Sequence, residues 1–210
     1  MTKRAMKRLL IATTNAAKFA EYRVLLREFD LKVVSLRDVG IDAEAPEDGA
    51  SFAENARLKA NFYFDRAGIA TLADDGGLEV DALDGAPGVR SHRWLGERAD
   101  DRALAEEIVR RMSGVEPALR TARLRAAAAL VFEDGAARCE RVVEAAFEGT
   151  IATCCYPQIQ AGFPYRAVLI VPGRGCYLAE LGEEEAARLS QRRLTVAALN
   201  DDLKRIATSS

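Results

Sequence analysis

Histidine is almost absent: His92 is the only one in 210 residues. A Ser-His-Asp or Cys-His catalytic machine would have to be built on that one residue, and a histidine-rich metal site is excluded. Any metal is thereby directed to oxygen ligands, the preference of Mg2+ or Mn2+. The four cysteines, Cys139, Cys154, Cys155 and Cys176, contain no C-x-x-C spacing, and an adjacent pair is a poor zinc pattern. They read as thiols of a reduced, cytoplasmic compartment, with Cys154 and Cys155 small and buried. No stretch approaches the roughly 20 apolar residues that span a bilayer, so no membrane partner is expected. The N-terminus is basic at Lys3, Arg4, Lys7 and Arg8, but Leu9-Leu10-Ile11-Ala12 is too short for a signal sequence. A strong basic excess is also missing. Lysine plus arginine number 30 against 32 acidic residues, a net charge of −2, which argues against a nucleic-acid binder.

What is present is a chain that is 49% apolar, enough for a sizeable core and for one domain spanning 1–210. Arg8 to Thr13 reads as a buried strand, and Thr14-Asn15-Ala16 as a turn. A helix follows from about Ala17 with Tyr22, Leu25, Leu26 and Phe29 on one face. Lys32 to Leu36 is a second strand, and Gly40 to Gly49 an acidic loop. Ser51 opens a helix with Glu54 three residues on, a capping box, and Gly68 stops it. Ile69 to Ala73 is expected as the strand that delivers Asp74 and Asp75 at its end. Asp101 to Met112 is an amphipathic helix. From Arg120 the period changes to two, with Ala122, Leu124, Ala126, Ala128, Leu130 and Phe132 pointing one way. Glu133-Asp134-Gly135 turns the chain, and Ala137 to Phe147 returns. Gly162 to Val171 is a candidate strand. One final helix is expected from Glu183, with Leu189, Val196, Leu199 and Leu203 as its core face. Helices between strands plus a long hairpin make an α/β fold with a mixed sheet.

Three local arrangements carry chemistry. In Thr13-Thr14-Asn15-Ala16-Ala17-Lys18 a strand passes through a polar turn into a helix start, where backbone N–H groups can hold an anion. Lysine in a first turn opposes the helix dipole, and a bound phosphate would remove that conflict. Asn55 and Lys59 are four apart and share a helix face, which aims Lys59 at a phosphate. Asp74 and Asp75 follow an apolar run, and two carboxylates this close resist joint ionisation unless a cation compensates. Glu47 in the acidic loop is a second metal ligand. Each signal alone has a structural alternative: an ordinary strand–helix turn, a surface lysine, an Asp-Gly turn, a solvated loop charge. Together they point to metal-assisted chemistry on a phosphorylated small molecule.

At these residues the chain resembles the inosine-triphosphate pyrophosphatase family, the Ham-type noncanonical purine nucleoside-triphosphate pyrophosphatases. The family's T-x-N-x-x-K-x-x-E stands as Thr13, Asn15, Lys18 and Glu21. Its E-x-G-x-[ST]-F-x-E-N-A-x-x-K-A is matched from Glu47 to Ala60. Its D-D-S-G-L-x-V-D-A-L-x-G-x-P-G-V is matched from Asp74 to Val89, with Gly76 in place of serine. Ser91, Arg93 and Trp94 continue the agreement. The resemblance implies a two-lobed α/β fold around a long central mixed β-sheet, usually a homodimer, and Mg2+-dependent hydrolysis of a triphosphate to the monophosphate and pyrophosphate. It implies ITP, dITP and XTP as substrates, in nucleotide-pool sanitation. It assigns Thr13, Thr14, Asn15, Lys18, Asn55, Lys59 and Gly76 to substrate, Glu47 and Asp75 to the metal (Mn2+ being a possible substitute), and Asp74, Asp75 and Lys59 to catalysis. Either Asp74 or Asp75 would position or deprotonate the attacking water.

The C-terminal half departs from the family. Its G-F-G-[YW]-D-P, which shapes the base pocket, reads Gly162-Phe163-Pro164-Tyr165-Arg166-Ala167, so an acceptor carboxylate has become the cation Arg166. Its E-E-K-N-x-x-S-H-R reads Glu184-Glu185-Ala186-Ala187-Arg188-Leu189-Ser190-Gln191-Arg192. Phe163, Tyr165, Arg166, Ser190, Gln191 and Arg192 are the base-side candidates. The departures open two alternatives: the same chemistry on a different base, or a catalytically weak nucleotide-binding paralogue.

Overall fold

The structure is a computed structural model that describes residues 6–96 and 99–209. Lys3 and Arg4 of the basic N-terminus lie outside the described residues. The described strands are β1 (Lys7–Ile11), β2 (Leu31–Ser35), β3 (Ala70–Val80), β4 (Thr121–Asp134), β5 (Ala137–Ile151) and β6 (Leu169–Ile170). The helices are α1 (Ala16–Leu25), α2 (Phe52–Ala67), α3 (Asp101–Arg111), α4 (Glu183–Leu189), α5 (Gln191–Ala198) and α6 (Asn200–Thr208), with short 3-10 turns between them. The six strands bond in the order β2-β1-β3-β4-β5-β6. β1 is parallel to both neighbours, with Leu9 opposite Val33 and Ile11 opposite Leu72, whereas β5 and β6 are antiparallel. The mixed α/β sheet expected from the sequence is therefore present.

The chain divides into two compact units. The first holds Met1–Asp75, Ala126–Ala145 and Arg192–Ser210; the second holds Gly76–Arg125 and Ala146–Gln191. Each has its own core. In the first, Leu9, Ile11 and Leu72 pack with Tyr22, Leu26, Phe29, Leu130 and Phe132 and with Val196, Leu199, Leu203 and Ile206. In the second, Leu78 and Val80 pack with Leu104, Ile108, Met112, Leu124, Ile151, Tyr165, Leu169 and Leu178. Buried Arg120 organises that second unit. Its guanidinium donates to the carbonyls of Met112 (2.6 Å), Ile151 (2.7 Å) and Ala152 (2.6 Å), joining the end of α3 to the end of β5.

Local chemistry sets the helix ends. Asn15 caps α1, its Oδ1 accepting from the N–H groups of Ala17 (2.9 Å) and Lys18 (3.1 Å). Ser51 caps α2 by accepting from Glu54 N–H, while Glu54 reaches back to the N–H of Ala50 rather than Ser51, one residue outside the usual box. Gly68 ends α2 at φ +62°, a conformation that suits glycine.

Four expectations are corrected, the first being the burial of the cysteine pair: Cys154 is exposed and Cys155 half-buried. β3 does not stop at Ala73; it runs on through Asp74, Asp75, Gly76 and Gly77 to Val80. It is an inner strand between β1 and β4; β1 pairs with it only at Ala70–Leu72, so beyond that point the neighbouring β4 is what outweighs the turn preference of Asp-Gly. The single C-terminal helix is three, because Ser190 adopts an extended backbone after α4. The candidate strand from Gly162 is mostly a 3-10 turn, Pro164–Ala167, followed by the two residues of β6. No helix among the described residues is long and apolar enough to cross a membrane.

Candidate functional site

The triphosphate-side candidates, Gly76 apart, gather in the first unit. β1 leads through α1 to β2 on one side and then through α2 to β3 on the other. Parallel crossovers are right-handed, so α1 and α2 cover opposite faces of the sheet, and the carboxyl end of β1 is a switch point of the kind where α/β sheets bind ligands. The Thr13–Lys18 turn leaves β1 at that end, and β3 carries Asp74 and Asp75 past it.

Successive residues of a strand face opposite ways. Asp74 and Asp75 thus take different nearest partners, each meeting the helix on its own face, while both carboxylates act on both lysines. Asp74 Oδ2 accepts from Arg192 Nη2 (2.9 Å) and Nε (3.0 Å) and lies 3.3 Å from Lys18 Nζ of α1. Arg192 also pairs with Glu21 of α1 at 3.3 Å, and all four side chains are almost wholly buried. Burial alone would raise the Asp74 carboxyl, but Arg192 and Lys18 outweigh it and hold it well below the usual carboxylate range. Lys18 is lowered, burial exceeding the attraction of Asp74. Asp74 Oδ1 is buried and has no hydrogen-bond partner among the described residues.

On the other face Asp75 Oδ2 accepts from Asn55 Nδ2 (2.9 Å), and Lys59 Nζ of α2 lies 3.5 Å from Asp75 Oδ1. Lys59 also donates to Glu47 Oε1 at 2.8 Å. Burial pulls the Lys59 ammonium down, but Asp75 and Glu47 push harder and raise it above its ordinary value. Asn55 Oδ1 accepts from Gly49 N–H at 2.8 Å, so one amide ties the acidic loop to Asp75. Gly49 is required there, since a Cβ would lie 2.7 Å from that Oδ1. Tyr63 of α2 anchors the same loop by accepting from Ala45 N–H.

The structure brings Glu47, Asn55, Lys59 and Asp75 together, and sets Lys18, Asp74 and Arg192 near enough that Lys59 and Asp75 act electrostatically on Lys18, and Asp74 on Lys59. Thr13 accepts from Asn15 N–H at 3.1 Å, shaping the turn, and Thr14 is exposed. Gly76 is buried in β3 as the first residue of the second unit. Gly77 is fixed by packing: a Cβ there would fall 2.0 Å from Ser91 Oγ, which accepts from Leu78 N–H and donates to Gly88 O.

The remaining base-side candidates lie in the second unit, apart from Arg192. Arg166 is buried, its guanidinium 3.8 Å from the Phe163 ring centroid, with Nη1 donating to Gln160 Oε1 at 3.1 Å. Tyr165 donates to Ser91 O at 2.6 Å; burial raises its phenol well above the ordinary value, with Asp101 adding to it. Ser190 donates to Ala187 O, and Gln191 is buried. Sequence reasoning grouped Arg192 with the base; in the fold it sits beside Asp74, 118 residues away. It also missed Asp101, which accepts from Gly162 N–H at 2.6 Å, and Gln160. No periodicity marks either.

An α/β sheet with buried carboxylates and lysines converging past a strand end defines a class that handles phosphate and cations. The chain belongs to the Ham1 family, whose model matches residues 9–202. It is 38% identical over 201 residues to the dITP/XTP pyrophosphatase of Geobacillus kaustophilus, covering 96% of each chain. It is 41% identical to the protein of the same name from Streptomyces avermitilis, covering 89% of this chain and 92% of that one. Among solved structures, the Staphylococcus aureus Ham1 protein aligns with a TM-score of 0.79 at 29% identity, over 94% of this chain and 98% of that one.

Proposed function

We propose that this chain hydrolyses noncanonical purine nucleoside triphosphates, ITP, dITP and XTP, to the monophosphate and pyrophosphate, as a cytoplasmic homodimer in which 1–210 acts as one ITPase-like domain. The observation that carries the reading is the pair of buried lysines, each against its own carboxylate at the carboxyl end of β1. Lys18 and Lys59 supply charge for a polyphosphate, and the N–H groups opening α1 add to it. The relatives named dITP/XTP pyrophosphatase support the same reaction.

The donor set fits a hard divalent cation. Glu47 and Asp75 offer oxygens a lysine now neutralises, and among the described residues no three His, Cys, Asp or Glu side chains converge. Mg2+ takes one or two carboxylates and completes its shell with phosphate oxygens and water, so two protein ligands suffice; Mn2+ accepts the same donors. When bound, it would polarise the phosphoryl oxygens and offset charge on the departing pyrophosphate.

The chain's own residues do the rest. Asn55 holds Asp75 in place. Lys59 and Lys18 neutralise the phosphates and the leaving group. Asp74, kept ionised by Arg192 and Lys18, presents Oδ1 to accept a hydrogen bond from the attacking water. Phosphoryl transfer depends mainly on positioning and electrostatics, so orienting the water outweighs deprotonating it. Phe163, Tyr165, Arg166, Ser190 and Gln191 serve base recognition. Pyrophosphate release from ITP, dITP, XTP and the canonical triphosphates, with and without Mg2+, tests the reading. Turnover confined to the noncanonical purines and abolished by chelation is expected; folded protein that releases none from any of them overturns it.

A further inference from the structure

We propose that Cys154 and Cys155 form a reversible modification site for low-molecular-weight disulfides. Cys154 attacks, Tyr177 holds the attacking sulfur, and Cys155 resolves the mixed disulfide into a bridge between neighbours. Three observations on the second unit carry it. First, the two thiols are adjacent in the chain but differ in surroundings. Cys154 is exposed, whereas Cys155 is half-buried and packs against the core that holds Leu104 and Ile108. Burial, with Glu106 adding to it, pushes the Cys155 thiol up, which leaves the exposed thiol to attack. Second, a phenol sits on the exposed thiol. Tyr177 Oη lies 3.3 Å from Cys154 Sγ and donates to Cys154 O at 3.0 Å. Its ring packs on Tyr156, with centroids 5.5 Å apart, which keeps the hydroxyl in place. That proton can turn from the carbonyl to the sulfur and stabilise the thiolate, the form that reacts. Third, backbone hydrogen bonds bracket the pair, from Ala152 N–H to Val168 O at 2.9 Å and from Tyr156 N–H to Ala167 O at 2.8 Å.

Cys154 gives its proton to solvent, and its thiolate attacks one sulfur of the small disulfide. That S–S bond breaks, and the other half leaves as a thiolate. The Cys155 thiolate then attacks the Cys154 sulfur and releases the second half. Two protein thiols are oxidised, and one small disulfide is reduced to two thiols. Neighbouring Cα atoms stand about 3.8 Å apart across a trans peptide, inside the roughly 4.4 Å lower limit of ordinary disulfides. The bridge is therefore strained and readily reduced, as labile rather than structural disulfides are. Closing it distorts the peptide that leads into Tyr156, so the hydrogen bond from Tyr156 to Ala167 weakens.

The test treats the full-length protein with glutathione disulfide, then with dithiothreitol, and reads intact mass and peptide maps. Wild type is expected to lose two hydrogens, to show a bridge between Cys154 and Cys155, and to recover both thiols on reduction. Cys155→Ser should stop at a glutathione adduct on Cys154, and Cys154→Ser should leave Cys155 unmodified. Tyr177→Phe, made in the Cys155→Ser chain, should slow adduct formation by about fivefold, the worth of one hydrogen bond, and move its pH midpoint upward. In the bridged wild type the Tyr156 amide should exchange hydrogen faster. No bridge, a bridge to Cys176 instead, a rate unchanged by Tyr177→Phe, or an unchanged Tyr156 amide overturns the proposal. These readouts need no turnover, so they decide the site whether or not any triphosphate is hydrolysed.

Discussion

Asn55 links three parts of the site with one side chain, receiving Gly49 N–H on its oxygen and donating to Asp75 from its nitrogen. Replacement by leucine keeps the volume and removes both bonds. Groups that orient a metal-ligating carboxylate are worth about 10- to 100-fold in activity or metal affinity. Asn55→Leu is therefore expected to lose that much pyrophosphate release, with the loss partly recovered at high Mg2+. An unchanged rate would remove Asn55 from the site. Lys59 is proposed to act on the substrate itself. Lys59→Met should lower turnover by about a thousandfold or more, in the range seen when a preorganised charge partner is deleted, while circular dichroism stays native. Exposed Glu47 and buried Asp75 would both lose the ammonium they share, so the variant should also bind divalent cations more tightly than wild type, measured by calorimetry without nucleotide.

At the scale of elements, β3 is one segment where the sequence misled. Asp-Asp-Gly-Gly has turn chemistry, yet it forms the middle of an eleven-residue strand. The neighbouring strand β4 and the close seat of Ser91 on Gly77 decide this. Gly77→Ala would drive a Cβ into Ser91 and to 2.9 Å from Gly88 O; a cost of about 1–3 kcal/mol is expected from such overpacking, read as a lower urea midpoint. α3 provides the pH prediction. Hydrogen bonds from Arg110 and Arg111 pull the Glu107 carboxyl down to about 2. A depressed folded value means that its contribution is complete above the unfolded value of about 4.3 and is lost as pH falls towards about 2. An NMR titration should place the Glu107 midpoint in that low range, and Arg110→Ala with Arg111→Ala should return it towards the ordinary one.

For the whole molecule, chain order and spatial order part company at the C-terminus. α4 belongs to the second unit, whereas residues from Arg192 onward belong to the first, where Val196, Leu199, Leu203 and Ile206 complete the core around Tyr22 and Phe132. Leu203 is fully buried, and Leu203→Ala should cost about 2–5 kcal/mol in denaturant unfolding. Because Arg192 on the same segment pairs with Asp74 and Glu21, a chain truncated before Arg192 should bind no nucleotide, as measured by calorimetry.

Local order in this chain was legible because local forces set it. Asn15 and Ser51 at helix starts, Gly68 at a helix end, the period-two run from Ala122 and the spacing of Lys59 from Asn55 are read within a few residues of each other. The motifs also named Glu47, Lys18, Lys59 and the two aspartates as parts of one chemistry. What the sequence could not reveal was which carboxylate answers to which cation. Adjacent in the chain, Asp74 and Asp75 are separated by the alternation of a strand whose continuation depends on β4. Arg192 reaches Asp74 across 118 residues of chain, and no pattern of spacing encodes such a meeting. Sequence alone determined the inventory of charges and the elements that carry them. Tertiary structure decided their pairing, because the facing of a side chain follows from strand pairing and crossover handedness, which are properties of the assembled sheet.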